Sequence, residues 1–131
     1  MCHILLIDDM QPVRHAIAAT LRKAGHDVVE ADDGNKGLEI ASSRQFDLVI
    51  TDIMMPASDG TDVVFELKTK SAAPKVIAMS GGGAGIPADN ALQLSSTRAD
   101  AVLKKPFTND VLIERAEHHG GFSAEKEHHE K

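Results

Sequence analysis

The sequence has no tryptophan and no tyrosine, and four phenylalanines are its whole aromatic content. Modules that bind single-stranded nucleic acid by stacking its bases need exposed aromatic rings, so this scarcity argues against them. The formal net charge of -6 argues in the same direction, because an acidic surface repels phosphate backbones. We therefore expect no direct binding of nucleic acid, and a core built from aliphatic side chains and methionine.

Cysteine is almost absent as well. Cys2 is the single cysteine, so no internal disulfide can form, and no cysteine–histidine spacing suggests a zinc site. The apolar run at residues 3–7 is too short for the hydrophobic part of a signal peptide, and no run approaches the length of a membrane span. We therefore expect a cytoplasmic protein without a membrane segment.

The chain length of 131 residues fits one domain, and a hydrophobic fraction of 42% is enough for a folded core. Residues 1–119 are predicted to form this domain. Residues 120–131 begin with two glycines and are polar and charged, which predicts a solvated tail without fixed structure.

Short apolar runs alternate with segments of helical period along the chain. The runs are continuous, which indicates strands buried on both faces, as in a parallel sheet covered by helices on both sides. The predicted strands are His3–Ile7, Val28–Val29, Leu48–Ile50, Val76–Met79 and Ala101–Leu103.

The intervals between these strands carry the helical signals. Pro12 suits a first helical turn and Gly25 a helix end, whereas Asp33-Gly34 predicts a turn. Further helices are predicted around Leu38, up to about Lys70, weakly over 88–96, and over Asn109–His118.

Polar residues follow four of the five predicted strands at their carboxyl ends, where parallel sheets bind ligands. Asp8 and Asp9 follow the first strand, Asp52 the third, Ser80 the fourth and Lys105 the fifth. Unrelated surface charges would be scattered over both ends of the sheet. The sequence therefore predicts that these five side chains meet at one edge.

Three carboxylates at one edge repel each other, so either one keeps a proton or a cation joins them. One lysine offsets one charge and leaves about two negative charges, which suits Mg²⁺ with its preference for oxygen ligands. Phosphoryl transfer needs little more than a nucleophile, a metal ion and a cation, and the Asp52 carboxylate can be the nucleophile.

These residues also carry a family resemblance. The segments Leu5–Asp9, Asp47–Pro56, Ser80-Gly81 and Lys105–Phe107 resemble, in order and spacing, the motifs of response-regulator receiver domains of two-component signalling. The resemblance covers residues 3–118 and implies a flavodoxin-like, doubly wound α/β fold with five parallel strands in the order 2-1-3-4-5. We expect a stand-alone receiver, because no effector domain follows residue 118.

The resemblance implies that Asp52 accepts a phosphoryl group from a sensor histidine kinase or a histidine phosphotransfer protein. It also implies that Asp9 and Asp52 bind Mg²⁺ directly, that Asp8 binds it through water, and that the backbone carbonyl of Met54 is a further ligand. Such a protein catalyses only its own phosphorylation and dephosphorylation, so it is not expected to be an enzyme.

By the same resemblance, Lys105 pairs with Asp52 and later with a phosphoryl oxygen, Ser80 hydrogen-bonds another, and the peptide before Pro106 is cis. Phosphorylation would then switch a protein-binding face made by the fourth strand, the fifth strand and the last helix. Val102 departs from the family pattern, because an aromatic residue is usual there, so the switch needs another readout.

Met54 and Gly82 occupy positions flanking the expected phosphate, and neither side chain can orient an attacking water. This predicts slow to moderate self-dephosphorylation. Two other functions are compatible with parts of the pattern. One is a pseudo-receiver that binds partners without phosphorylation. The other is a hydrolase with an aspartyl nucleophile, which normally needs a second carboxylate two residues later, where this sequence has Met54 or Met10.

Overall fold

The computed structural model describes residues 2–52, 66–69, 73–80 and 99–120, and strands alternate with helices through them. The N-terminal half contains β1 (His3–Ile7), α1 (Gln11–Lys23), β2 (Asp27–Ala31), α2 (Gly34–Ser43) and β3 (Leu48–Asp52). Residues 66–68 are helical, and the remaining elements are β4 (Lys75–Ser80), β5 (Ala101–Lys104) and α3 (Asn109–His119).

The five strands form one sheet in the order β2-β1-β3-β4-β5, and every neighbouring pair is parallel. The register aligns the strand ends: Ile7 lies opposite Thr51, and Ser80 lies opposite Lys104. This arrangement confirms the predicted flavodoxin-like fold. β1 and β3 are parallel neighbours near the centre of the sheet, so their carboxyl ends lie side by side.

Helices cover both faces of the sheet, as predicted. Ile4 and Leu6 of β1 pack in one cluster with residues of α1 and α3, including Leu21 and Leu112. The alternate β1 residues face the other way, because successive strand side chains point to opposite faces. That second cluster comprises Leu5, Ile7, Ala31, Phe46, Val49, Leu67 and Val76, with Leu38 and Ala41 of α2 packed against it.

The ends of α1 agree with the sequence signals. Pro12 lies in the first turn of α1, and Gly25, just past its end, has φ of 99°, a conformation that favours glycine. The predicted turn at Asp33-Gly34 is wrong. Asp33 is the N-cap of α2, since its carboxylate accepts a hydrogen bond from the Lys36 amide, and Gly34 is the first residue of the helix.

Gly37 brings α2 close to β1. A Cβ atom at this position would collide with the Ile7 side chain, so a larger residue would require that side chain or the helix to shift. Ile7 directly precedes the two aspartates at the end of β1. The close contact of α2 with β1 therefore lies next to the strand end at which the predicted site begins.

At the opposite edge of the sheet, where β1 and β2 begin, the buried His26 contacts residues at both ends of the described chain. The His26 ring accepts a hydrogen bond at Nδ1 from the Cys2 amide, so Nε2 carries the proton in this contact with Oε2 of Glu117, 3.0 Å away. Cys2 is buried, and its Sγ lies 3.8 Å from the carbonyl oxygen of Gly120. Residues near the start of β1 and the end of α3 are thereby held together.

Several predictions concern residues outside those described. They are the metal ligand Met54, Gly82, the loop from Pro56, the helix over 88–96 and the tail beyond residue 120. Within the described ranges, none of the helices combines the length and the apolar character that crossing a bilayer requires.

Candidate functional site

The predicted site residues lie where the strands end. Asp8 directly follows β1, and Lys105 directly follows β5. Asp52 and Ser80 are the last residues of β3 and β4, so they belong to the strands rather than to the loops after them. Because β3 and β4 are neighbours with Asp52 opposite Met79, Ser80 lies one residue beyond Asp52 on the adjacent strand.

Three carboxylates form a cluster at this edge. Asp8, Asp9 and Asp52 each place a carboxylate oxygen within 4.8 Å of those of the other two. Asp8 and Asp52 are buried, with 0% and 4% of their surface exposed, whereas Asp9 is exposed. The cluster is thus closed by the protein on one side and open to solvent at Asp9.

Lys105 brings a positive charge into this cluster. Its Nζ lies 3.2 Å from Oδ2 of Asp52 and 3.5 Å from Oδ2 of Asp8. The Lys105 amide donates a hydrogen bond to the Ser80 carbonyl at 2.9 Å, which fixes the backbone of Lys105 against the end of β4. The structure therefore brings Asp8, Asp9, Asp52 and Lys105 together as the sequence predicts.

The Asp8 side chain is held in one orientation by local hydrogen bonds. Its amide donates to the Ala31 carbonyl at 3.1 Å, and its Oδ1 accepts from the Met10 amide at 2.9 Å. Its Oδ2 is buried and accepts no hydrogen bond from the part of the chain that the structure describes. That oxygen lies 3.5 Å from Nζ of Lys105, within the distance of an ion pair.

Burial raises the pKa of the Asp8 carboxyl above its ordinary value of 3.8, and the negative charge of Asp52 adds to this rise. The Met10 amide and the Lys105 ammonium lower the pKa of Asp8, but they do not outweigh burial. The shift of the Asp8 pKa therefore reflects burial first, while by formal count the three carboxyl groups of the cluster outnumber the one ammonium group of Lys105.

The donor set fits Mg²⁺. All the side-chain donors of the cluster are carboxylate oxygens, which hard divalent cations prefer, and Oδ2 of Asp8 accepts no hydrogen bond from the described residues. A divalent cation would also supply the missing positive charge. The predicted carbonyl ligand, Met54, lies outside the described residues.

Two residues that the sequence analysis passed over lie directly behind the cluster. Nη1 of Arg14 donates to the backbone carbonyl of Asp8 at 3.0 Å, and its Nε donates to Oε1 of Glu30 at 3.0 Å. One signal was available in the sequence: Arg14 follows Asp8 by six residues and lies in the first turns of a helix that starts at the same edge.

The surroundings of Lys105 agree with the family pattern in the peptide bond before Pro106 and differ from it at Val102. The Lys105-Pro106 peptide is cis, as predicted. Val102, in the position that the family usually fills with an aromatic ring, lies on the edge strand β5 with 38% of its surface exposed. Ser80 is buried at 2% exposure at the end of β4, so its hydroxyl is at the predicted edge.

Comparison with known proteins agrees with the fold and with the acidic cluster described above. Residues 4–117 match the family model described as response regulator receiver domain. The structure resembles the Francisella response regulator 1452 receiver domain, with a TM-score of 0.81 and 26% identity, covering 94% of this chain and 99% of that one. It also resembles a response regulator receiver domain protein of Clostridium thermocellum, with a TM-score of 0.75 and 31% identity, covering 88% and 94%.

A third similar structure is much longer. NtrX of Brucella abortus, solved in complex with ATP, has a TM-score of 0.80 and 29% identity, and the match covers 97% of this chain but 28% of that one. The family model spans most of the sequence, and the matched residues include all four segments that form the acidic edge and its lysine. This chain belongs to the receiver domain family of response regulators, the phosphoryl-accepting modules of two-component signalling.

Proposed function

We propose that this receiver accepts a phosphoryl group on Asp52 from a phosphohistidine donor, in a reaction that depends on Mg²⁺. One observation carries the proposal. A buried carboxylate, Asp52, lies 3.2 Å from the Lys105 ammonium within a cluster of three carboxylates, so a nucleophile and a cation for the phosphoryl oxygens share one small space.

In the proposed reaction, a carboxylate oxygen of Asp52 attacks the phosphorus atom of the donor. The new bond joins this oxygen to phosphorus, the nitrogen–phosphorus bond of the phosphohistidine breaks, and its electron pair stays on the imidazole. Asp52 suits this role because it is fixed at a strand end with Nζ of Lys105 3.2 Å from its Oδ2, so little reorganisation is needed. The transfer consumes no other reactant.

Lys105 has two successive partners in this proposal. Before transfer its Nζ neutralises Asp52, and after transfer the same ammonium stabilises a phosphoryl oxygen. The backbone bond between the Lys105 amide and the Ser80 carbonyl keeps the two residues adjacent. The Ser80 hydroxyl is proposed to donate to a second phosphoryl oxygen.

Asp9 and Asp52 are proposed to bind Mg²⁺ directly, with Asp8 as a ligand through water and the Met54 carbonyl as a further ligand. When bound, the ion neutralises the carboxylates and polarises the phosphoryl group. The support for this proposal is the cluster itself: three carboxyl groups place oxygens within 4.8 Å of one another, and one ammonium group, that of Lys105, lies beside them.

The test is intact-protein mass spectrometry after incubation with a small phosphodonor, with and without Mg²⁺. We expect a mass gain of one phosphoryl group that requires Mg²⁺ and disappears in Asp52→Asn. Asp32→Asn is the matched control, because Asp32 is an exposed aspartate that pairs with Lys36 away from the cluster. This control variant should be phosphorylated like the wild type.

The same experiment separates the other two functions. A pseudo-receiver would gain no mass under any condition, and a hydrolase would release phosphate from a phosphomonoester through many turnovers. The hydrolase has little support, because Met10 holds the position two residues after Asp8 where a second acid would be needed. We propose instead that the protein catalyses only its own phosphorylation and dephosphorylation.

The proposed output is a protein contact on the face of β4, β5 and α3. A protein partner is proposed because the net charge of -6 does not favour nucleic acid. We also propose a cytoplasmic location, because phosphohistidine donors draw on ATP, together with a stand-alone arrangement. Pull-down with the phosphorylated protein and with Asp52→Asn as control tests the output.

A further inference from the structure

We propose that Arg14 is a positioning residue for the metal-binding aspartates, and that Glu30 holds it in place. The inference rests on the proposed Mg²⁺ site and adds to it a pair of residues that touch neither the metal nor the phosphoryl group. Its basis is the contact of the Arg14 guanidinium with the backbone of Asp8.

The Arg14 guanidinium is largely buried between α1 and β2. Its side chain is 12% exposed, and that of Glu30 is 18% exposed. Nε donates to Oε1 of Glu30 at 3.0 Å, while Nη1 donates to the Asp8 carbonyl at 3.0 Å. A guanidinium is planar and rigid, so fixing Nε on β2 also fixes the direction in which Nη1 points.

The carbonyl that Arg14 holds controls both aspartates. A peptide unit is planar, so fixing the Asp8 carbonyl also fixes the orientation of the Asp9 amide and the point from which the Asp9 chain departs. The Asp8 amide is held separately by the Ala31 carbonyl. With both of its backbone groups held, Asp8 can direct Oδ2 at Lys105, and Asp9 can stay at the open side of the cluster.

The proposed influence of Arg14 is exerted through the direction of its hydrogen bond to the Asp8 carbonyl. Glu30 forms ion pairs with Arg14 and Arg22, and its Oε1 is also 3.4 Å from the His15 ring. Glu30 carries one negative charge for two arginines, so it offsets the charge of Arg14 only in part. The hydrogen bond of fixed direction on the Asp8 carbonyl is the contribution that Arg22 does not share.

Arg22 provides a matched control on the same helix. Its Nη1 pairs with Oε2 of Glu30 at 3.1 Å, and its Nη2 donates to the Val28 carbonyl at 2.7 Å. Arg22 therefore shares the carboxylate partner and a backbone carbonyl contact with Arg14. Its carbonyl contact is on Val28, three residues before Ala31, and not on the aspartate turn.

The experiment compares Arg14→Ala, Arg14→Lys and Arg22→Ala with the wild type by titration calorimetry with Mg²⁺. We expect Arg14→Ala to weaken Mg²⁺ binding about tenfold, as is usual when a residue that orients a metal ligand is removed. Arg22→Ala should keep Mg²⁺ affinity within about twofold. Arg14→Lys should recover part of the loss, because a lysine can reach one of the two partners but cannot hold both.

A second readout uses the metal-free protein. The Met10 amide donates to Oδ1 of Asp8, so its proton and nitrogen chemical shifts report the position of the aspartate turn. We expect the Asp9 and Met10 amide resonances to move in Arg14→Ala and to remain in place in Arg22→Ala. If loss of the Arg14–Glu30 ion pair only loosened the packing of α1, the Asp9 and Met10 amide resonances would not move more than those of other residues on this face.

Two outcomes would overturn the inference: equal Mg²⁺ affinity in Arg14→Ala and wild type, or equal weakening in both arginine variants. If Arg14→Ala does not fold, Arg14→Lys against Arg22→Ala gives the same comparison. A wild type that binds no Mg²⁺ would refute the proposed function instead. In that case the amide resonances of the metal-free protein still decide whether Arg14 positions the turn.

Discussion

Asp100, at the amino-terminal edge of the sheet, and Asp8, at the carboxyl-terminal edge, differ in how fully their carboxylates are paired. Oδ2 of Asp100 accepts from Lys68 at 2.9 Å and from the Val76 amide at 2.8 Å. Burial acts to raise the pKa of Asp100, but these two bonds outweigh it and the pKa lies below its ordinary value. At Asp8 burial outweighs the bonds, and the pKa is raised.

This difference indicates what each edge contributes. The pairs at the amino-terminal edge connect the helical residues around Lys68 to β4 and to the start of β5, so their charges stabilise the fold. At the acidic edge three carboxyl groups share one ammonium group, and burial of Asp8 disfavours its charged form, so we expect a bound cation to stabilise this edge. The comparison can be tested one residue at a time.

The largest effect is expected for Lys105→Ala. Removal of the ammonium leaves Asp8 and Asp52 without their shared cation and removes the group that stabilises the phosphoryl oxygens. We expect the rate of phosphorylation by a small phosphodonor to fall about 100-fold or more. Lys104→Ala is the control, because Lys104 is an exposed neighbour, and a comparable loss in that variant would contradict the assignment of Lys105.

Asp100→Ala is expected to destabilise the protein by about 2 kcal/mol, because the Lys68 ammonium and the Val76 amide both lose their acceptor. Chemical denaturation in the absence of Mg²⁺ measures this change. Phosphorylation of the folded fraction should remain intact. An unchanged midpoint of denaturation would show that the amino-terminal edge is not stabilised by this carboxylate.

Asp8→Asn is expected to act in the opposite direction. The amide keeps the acceptor for the Met10 amide and removes the under-compensated charge, so the metal-free protein should gain on the order of 1 kcal/mol. The same variant should lose most of its stabilisation by Mg²⁺. Melting temperatures with and without Mg²⁺ measure both effects, and a destabilised metal-free variant would contradict the comparison.

The pH dependence of the free energy of unfolding tests whether Asp8 and Asp100 affect stability in opposite directions. A carboxyl with a raised folded-state pKa binds its proton more tightly in the folded protein than in the unfolded chain. The contribution of Asp8 to stability is therefore fully present below about pH 3.8 and is lost as the pH rises through its raised pKa. Asp100 behaves in reverse, since its pKa is lowered: its contribution to stability is present above about pH 3.8 and is lost as the pH falls through its lowered pKa. In Asp8→Asn, the contribution of Asp8 to the free energy of unfolding at low pH should be absent, and denaturation at a series of pH values measures this.

The smallest effect is expected for Asp27→Asn. Asp27 pairs with His3 and Arg44, and the hydrogen bond from His3 is the main cause of its lowered pKa. All three side chains are 44–48% exposed, so solvent screens the pairs. The midpoint of denaturation should stay within experimental error, and a clear loss of stability would show that exposed pairs also support this edge.

Much of the fold followed from the sequence, because each central strand is a continuous apolar run with a polar residue at its end. The residues of the acidic edge were predictable for the same reason: parallel strands bring their carboxyl ends together whatever the details of packing. Asp33 was misassigned because the residues that favour turns also favour helix N-caps, and only the Lys36 amide distinguishes the two.

The spacing of Arg14 from Asp8 suggests that the two residues are near each other, but the sequence does not establish their contact. An arginine near the start of a helix can point in several directions, and its position here depends on how α1 packs against β2 and on the presence of Glu30. The absence of a hydrogen bond to Oδ2 of Asp8 from the described residues also depends on packing, since burial and not residue type decides whether a carboxylate oxygen finds a partner.

The link between Cys2, His26 and Glu117 has a practical consequence. It places residue 2 beside residue 120 at the edge of the sheet opposite Asp52. Cys2 is buried and a Cβ atom at Gly120 would collide with its Sγ, so fluorescent labels belong on exposed residues nearby, such as His3 and His118, where they would not obstruct a phosphodonor approaching the acidic edge. Energy transfer between them would then record any displacement of α3 on phosphorylation in a protein that has no tryptophan to serve as an intrinsic reporter.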